Sequence, residues 1–293
     1  MTKILVTGAT GLLGSSLVPY LENCNYTVKG VSFSQQSDYK IDLTKLDDIR
    51  FCLRDYTPDL VINLAALANV DRCETHPHLA DALNTKIVEN LCAWINELNQ
   101  PCHLIHLSTD QIYDGIGPHS EWKESPSNYY AISKLAGEYA ARSTSSTILR
   151  TNFVGRSLSN KRQSLTDWLY QSLCDQRQIN VFDDVLFSPL SIASLCILIK
   201  KCISMRPHGV FNLGSRDGMS KAAFAFSFAS AVNISPDNFS IVSSSFHRSF
   251  VANRPSDMRM DSYCFERHMG LILPTLADEI LRVAKDYTDL LDV

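Results

Sequence analysis

Along the first half of the chain, short unbroken apolar runs alternate with longer stretches in which apolar residues recur every three or four positions. The short runs cover residues 3–7 (KILVT), 26–33, 59–65 (DLVINLA), 103–108 and 147–151, with a briefer one at 41–43, and read as strands buried on both faces. The longer stretches predict helices over 12–22, 46–56, 78–98 and 129–143, and a loop rich in Gly, Pro and Ser fills 115–128. Strands joined through helices of that length run parallel, because an antiparallel pair needs only a tight turn. The pattern predicts an α/β protein with a doubly wound parallel sheet, helices on both faces.

Beyond residue 151 the alternation loosens. Helices are expected over 164–176, 191–205, 221–232 and 274–291, with strands at 178–182 and 209–213, while serine-rich 240–249 and Arg254-Pro255 read as loop. The acidic residues of the last helix (Asp278, Glu279, Asp286, Asp289, Asp292) read as a solvated face. The expected division is a sheet domain over 1–150 and a smaller α+β substrate domain over 151–293 that returns some elements to the first sheet.

Composition narrows what such a fold does. With 45% hydrophobic and 20% charged residues and a formal net charge of -4, the 293-residue chain lacks the basic surplus of a nucleic-acid binder. Its nine cysteines (24, 52, 73, 92, 102, 174, 196, 202, 264) are odd in number and include no Cys-x-x-Cys pair. Neither zinc nor disulfides then organise the fold, and a reducing, cytoplasmic setting is expected. His76-Pro77-His78 has no third ligand at metal spacing, so no metal is expected. The N-terminus lacks a signal-peptide pattern, and the longest near-continuous apolar run, 192–199, is far short of the ~20 residues of a membrane span.

Three of only twelve glycines fall at Gly8, Gly11 and Gly14, between the first strand and the first helix. A glycine turn there lets backbone approach a pyrophosphate, and the helix N-terminus supplies unpaired N–H groups and the positive end of its dipole. Gly8, Thr10, Gly11, Leu12, Leu13 and Gly14 are therefore candidates for a dinucleotide site of Rossmann type. The second strand ends Val31-Ser32-Phe33-Ser34, without the acid that holds the adenosine ribose of NAD. Hydroxyls there, Ser34 included, with Lys40 following, suit a 2′-phosphate, so NADP(H) is favoured over NAD(H). Asp42 and Leu43 are candidates for the adenine edge, and Asp42 reads equally as a cap of the next helix.

Tyr130-Ala131-Ile132-Ser133-Lys134 places a phenol and an ammonium one helical turn apart on one face, the one such pair in the chain. A nearby ammonium favours the phenolate, which would bring a tyrosine down from about 10 toward the range useful for proton exchange with a carbonyl. Lys134 can also hydrogen-bond a nicotinamide ribose. This helix follows a strand ending His106-Leu107-Ser108-Thr109-Asp110, and open parallel sheets gather ligands at such strand ends. Thr109 or Ser108 can therefore donate a further hydrogen bond to the reacting oxygen.

In this order the residues resemble the extended short-chain dehydrogenase/reductase superfamily and, within it, the dTDP-4-dehydrorhamnose reductase family. The pieces are T-G-A-T-G-L-L-G (Thr7 to Gly14), D-L-V-I-N-L-A-A (Asp59 to Ala66) with Val70-Asp71, Asn84, and S-T-D-Q-I-Y-D-G (Ser108 to Gly115). Y-A-I-S-K-L-A-G-E (Tyr130 to Glu138), Leu149-Arg150-Thr151, Arg254-Pro255 and Met260-Asp261 complete them. The resemblance implies a Thr109, Tyr130, Lys134 triad and a cofactor lining of Ala65, Ala66 and Leu67, with Asn69, Asp110 and Gln111 near the substrate. It implies hydride delivery from NAD(P)H to the 4-keto carbon of a nucleotide-linked 6-deoxyhexulose, with Tyr130 as proton donor. The nucleotide sugar's diphosphate and base call for cationic and aromatic partners from the second half, for which Arg254, Arg162 and Trp168 are candidates. Since some relatives are dimers, a homodimer is expected; no nucleic-acid or membrane partner is.

Two positions depart from the family pattern, both near the expected sugar. Gln111 stands where an aromatic usually follows Thr-Asp, and Leu67 where an aromatic or polar residue usually follows the Ala pair. Gln111 also argues against a dehydratase, which needs a Glu there for its elimination step. A nucleotide-sugar 4-epimerase and a non-catalytic regulatory subunit resembling that of methionine adenosyltransferase remain as alternatives.

Overall fold

The first strand, β1 (Lys3–Thr7), has four consecutive buried residues and lies inside the sheet, as an all-apolar run requires. In the computed structural model, which describes residues 1–33, 37–159, 162–244 and 250–288, it leads into α1 (Gly14–Asn23), β2 (Thr27–Ser32) and β3 (Tyr39–Lys40). Next come α2 (Leu46–Cys52), β4 (Leu60–Asn63), α3 (Val70–Thr75) and α4 (Pro77–Ala80). A π-helical turn (Asp81–Lys86) then runs into α5 (Ile87–Glu97), β5 (His103–Thr109), α6 (Tyr129–Ala141) and β6 (Ser146–Thr151).

Two expectations for this half change, and one short helix is added to them. The short strand expected at 41–43 is instead Tyr39–Lys40, because the Asp42 carboxylate accepts from Thr44 N (3.1 Å) and turns the chain. The single helix expected over 78–98 is α4, the π turn and α5 in succession. Its cause is close contact with α6: a Cβ on Gly137 would lie 2.3 Å from the Asn84 carbonyl oxygen, so the two backbones touch where the helix widens. α3, only six residues long, is too short to register as a period.

The second half adds β7 (Phe153–Val154), α7 (Leu165–Cys174), β8 (Ile179–Phe182), β9 (Leu186–Phe187), β10 (Leu190–Ser191) and α8 (Ile192–Met205). It continues with β11 (Gly209–Leu213), β12 (Met219–Ser220), α9 (Lys221–Ala231), β13 (Phe239–Val242), α10 (Tyr263–Met269) and α11 (Leu276–Thr288). The start of the serine-rich segment is thus strand rather than loop: Phe239–Val242 pairs in parallel with Ile179–Phe182, and residues 245–249 lie outside the described ones. Glu279 is not solvated either. It is fully buried, accepting from Ser194 Oγ (2.6 Å) and from Ser191 N, so it caps α8. Asp289 and Asp292 lie outside the described residues.

The seven-stranded sheet has the order β11-β6-β5-β4-β1-β2-β3, and every pairing in it is parallel. Strand order reverses between β1 and β4, the switch point outside which open sheets of this kind bind ligands. One apolar core, with Leu17, Ile105, Leu195 and Phe265, covers one sheet face; another, with Ile49, Leu91 and Ile148, covers the other. A separate core of Phe187, Phe224, Phe228 and Tyr287 belongs to residues of the second half.

Candidate active site

At the switch point Gly8 adopts φ +65, and a Cβ there would lie 2.9 Å from Ala65 N; at Gly14 it would lie 2.4 Å from the Gly8 carbonyl oxygen. The loop can therefore fold against the end of β4 and into α1 only with glycine at these positions. Leu13 is the N-cap residue of α1, with no side-chain cap; Ser15 N and Ser16 N are already engaged by the carbonyls of Gly11 (3.0 Å) and Leu13 (3.1 Å), so what the helix start offers an anion is the preceding loop and the positive end of the helix dipole. Ala65 N donates to Thr7 Oγ1 (3.3 Å), holding the residues after β4 beside the loop, with Ala66 exposed. Leu67 is fastened on both sides by buried Asn84, which accepts from Leu67 N (2.8 Å) and donates to Leu67 O (3.2 Å) and Ser133 Oγ (2.9 Å).

At the end of β2 the sheet register sets Lys40 beside Ser32. Ser34 lies outside the described residues. The nearest acid beyond the strand, Asp38, turns back to accept from Gly30 N (2.8 Å) and Lys29 Nζ (2.7 Å). Asp42 does not cap α2, whose N-cap position is Lys45 with no side-chain cap; its carboxylate accepts from Thr44 N (3.1 Å) and Thr44 Oγ1 (2.6 Å) within its own turn, while buried Leu43 offers its carbonyl to Asn90 (3.0 Å).

Across the switch point, β5 and α6 bring Thr109, Tyr130 and Lys134 together. Asn128 caps α6 through Ala131 N (2.9 Å), and Tyr130 is buried in a small apolar cluster with Leu67, Val70 and Ala252. The phenol is hydrogen-bonded to the Thr109 side chain, whose Oγ1 also accepts from Gln111 N (3.1 Å). Burial pushes Tyr130 up to about 12, against the Thr109 hydrogen bond, so the lysine does not set its acidity as the spacing implied. Lys134 Nζ donates instead to the Leu107 carbonyl (2.6 Å), and burial lowers it to about 8. Asp110, fully buried and accepting from Asn152 Nδ2 (2.7 Å), is raised by burial to about 6.

Gln111 lies in a narrow cavity of about 60 Å³, lined also by Lys221, Arg254, Phe250 and Met258. Arg254 Nη2 donates to Asp71 (2.8 Å), its guanidinium lies over the Phe250 ring, and Nη1 is buried without a partner among the described residues. Lys221, which no sequence motif singles out, lies 5.8 Å from the Phe187 centroid and is lowered by burial, partly offset by Asp110. The cavity is far smaller than whole small-molecule pockets, which run to ~300 Å³ or more.

Other expected residues lie elsewhere. Asn69 is exposed and caps α3 through Arg72 N (2.8 Å). Trp168 is half-buried on α7 against the second-half core, and Arg162 is exposed in the preceding turn. A larger cavity of about 750 Å³ opens at the opposite end of the sheet, lined by Arg142, Arg206, His103 and His208. It sits where α5, α6 and α8 end, and cations there offset helix C-termini. Among the described residues no three His, Cys, Asp or Glu side chains group as metal ligands, and no helix is long and apolar enough to cross a membrane.

Comparison with known proteins places this geometry. A probable low-salt glycan biosynthesis reductase of Haloferax volcanii is 28% identical, over 97% of this chain and 98% of that protein. A dTDP-4-dehydrorhamnose reductase of Sinorhizobium fredii is 30% identical, over 83% of this chain and 85% of its own. The fold matches the crystal structure of a Bacillus anthracis dTDP-4-dehydrorhamnose reductase in complex with NADP at a TM-score of 0.86, with 23% identity, covering 97% and 99% of the two chains. The model of the RmlD substrate binding domain matches residues 1–289, nearly the whole sheet and second-half core together, and the chain belongs to that family.

Proposed function

We propose that this protein reduces the 4-keto group of a nucleotide-linked 6-deoxyhexulose with NADPH, Tyr130 giving the proton. The observation that carries the reading is the meeting of Thr109, a protonated Tyr130 and Lys134 at the strand ends facing the glycine loop. The residues fit a dinucleotide: the loop closes only with glycine at positions 8 and 14, and it leads into the N-terminus of α1, the positive end of the helix dipole. Gly8, Thr10, Gly11, Leu12, Leu13 and Gly14 hold the pyrophosphate, Lys40 meets the 2′-phosphate, and Ala65, Ala66 and Leu67 line the site. Residues 1–150 thus carry the cofactor and 151–293 mainly the nucleotide sugar.

Bound there, the nicotinamide supplies the hydride for the 4-keto carbon. The Thr109 hydroxyl, only loosely engaged with Asp110 at 3.3 Å, turns to the carbonyl oxygen and polarises it. Tyr130 keeps its proton at neutral pH because it is buried, and releases it to the far more basic alkoxide that forms. Lys134 holds the cofactor ribose and the positive charge behind the phenol. Lys221 and Arg254 meet the diphosphate, and the buried, unpartnered Nη1 of Arg254 is one donor waiting for it. Gln111 borders the sugar.

The epimerase and regulatory-subunit alternatives gain no particular residue from the described structure. We further propose a cytoplasmic homodimer, checked by light scattering in solution. The test of function is to supply dTDP-4-dehydrorhamnose with NADPH or NADH and follow loss of reduced-nicotinamide absorbance. NADPH consumption with formation of the 4-hydroxy sugar is expected. No turnover with any nucleotide-linked 4-keto-6-deoxy sugar overturns the reading, and about tenfold tighter NADH binding overturns the role of Lys40.

A further inference from the structure

Behind the candidate triad lies a charge pair with no exposure to solvent. Glu138 on α6 and Arg150 on β6 are both fully buried. Arg150 Nε donates to Glu138 Oε1 (3.0 Å) and Oε2 (3.1 Å), and Nη2 to Oε2 (2.7 Å). The remaining guanidinium protons go to Tyr113 OH (2.8 Å), Glu121 O (2.6 Å) and the Glu124 carboxylate, so all five donors are used. Ser108 Oγ donates to Glu138 Oε1. Buried ion pairs are commonly replaced by apolar residues without loss of stability, so stability alone does not account for this one.

Its position does. Tyr130, Lys134 and Glu138 recur at intervals of four on α6 and share one helix face. Ser108 directly precedes Thr109, and Leu107, the acceptor of Lys134, precedes Ser108. The Glu138 carboxylate therefore touches the strand end that carries Thr109 while standing one turn from Lys134. Resting on the reading of the site as a reductase, we propose that Glu138, locked by Arg150, is a positioning residue that fixes the Ser108–Thr109 strand end against α6 and keeps Lys134 cationic.

The groups around Lys134 agree with this. Burial lowers Lys134, and the Glu138 carboxylate is the group that opposes it. His106 faces Lys134 from β5 and is held neutral by burial. Asp110 and Cys73 act on Tyr130, while Glu74 and Asp81 accept from Tyr129 N and Tyr129 OH. Lys86 and Glu89, toward α5, pair with each other at the surface.

The test compares Glu138→Gln, Glu138→Asp and the double variant Glu138→Gln/Arg150→Met, which leaves no lone buried charge. The pH dependence of kcat is measured with NADPH and dTDP-4-dehydrorhamnose, and Lys134 Nζ is titrated directly by nitrogen NMR, which needs no turnover. Without the carboxylate, kcat falls about tenfold with KM nearly unchanged, and both the basic limb and the Lys134 titration move about one pH unit lower. Glu138→Asp restores them. A Lys134 titration at its wild-type position in any folded variant lacking the carboxylate overturns the proposal, whatever kcat does. If neither such variant folds, Ser108→Ala decides: it keeps both charges, and an unchanged kcat overturns the positioning role, whereas loss rescued by Ser108→Thr supports it. Wild-type protein that never turns over the sugar refutes the reductase reading instead, while the NMR titration still judges Glu138.

Discussion

Replacing Asn84 by Ala removes one side chain that makes three buried hydrogen bonds between the π turn, the segment after β4 and α6. The three losses are unequal. Ser133 Oγ still donates to the Tyr130 carbonyl (2.9 Å), and Leu67 O still accepts from Cys73 Sγ (3.4 Å). Leu67 N has no such substitute, and an orphaned buried N–H costs about 1–3 kcal/mol. With the small cavity left by the amide, the total is about 2–3 kcal/mol, which in a chain of this size lowers Tm by roughly 5 °C. The same change frees Leu67 on the cofactor side. Re-ordering one residue on binding costs about 1–2 kcal/mol of backbone entropy, so the Kd for NADPH should rise about tenfold. Asn84→Asp should fall between, because its carboxylate can accept from Leu67 N but cannot donate. Thermal denaturation with and without NADPH, together with a fluorescence titration, reads both quantities. A Tm within about 1 °C of wild type together with an unchanged Kd would refute the claim that Asn84 holds the cofactor-lining segment.

Two further outcomes follow from Lys221 and Asp110. Lys221→Met removes a cation bound alike in ground and transition states, so KM for the nucleotide sugar should rise about tenfold at unchanged kcat. A fall in kcat at constant KM would place Lys221 in the chemistry instead. Asp110 is raised by burial from its ordinary 3.8 to about 6, so the folded state binds the proton more tightly than the unfolded chain. The fold therefore loses stability as pH climbs from about 4 through about 6, and Asp110→Asn should stabilise the protein at pH 7 by up to about 3 kcal/mol and hardly at all near pH 4. Equal Tm changes at both pH values would mean the carboxylate is not held in a site that resists its charge.

The crossover pattern and the glycine loop were legible because each is written in consecutive residues. Buried strands such as Leu60–Asn63 and the positive-φ turn at Gly8 depend only on local sequence, so period and turn chemistry reveal them. Tyr130 and Lys134 were legible for the same reason, being one turn apart on one helix. The acidity of Tyr130 was not, because burial by Leu67, Val70 and Ala252, contributed from distant segments, outweighs its neighbour in sequence. Lys221 and Glu279 escaped for a related reason. A lysine or glutamate at a helix start reads as solvated until tertiary packing encloses it, and the partners Asp110, Ser191 and Ser194 lie far away in the chain. The π turn records contact with Gly137, about fifty residues on, which no local period can encode. The same separation explains why Trp168 and Arg162 do not line the cavity that Arg254 reaches: a chemical type was recognisable, its destination was not.

Tyr130→Phe tests the central claim most directly, since it deletes one oxygen from a buried ring and leaves the glycine loop, Leu67 and Lys134 in place. With NADPH and dTDP-4-dehydrorhamnose, the variant should bind the cofactor with nearly the wild-type Kd and lose kcat by at least about a hundredfold, the scale of a lost general acid. A variant that retains wild-type kcat would contradict the assignment of Tyr130 as proton donor, and with it the account of the site.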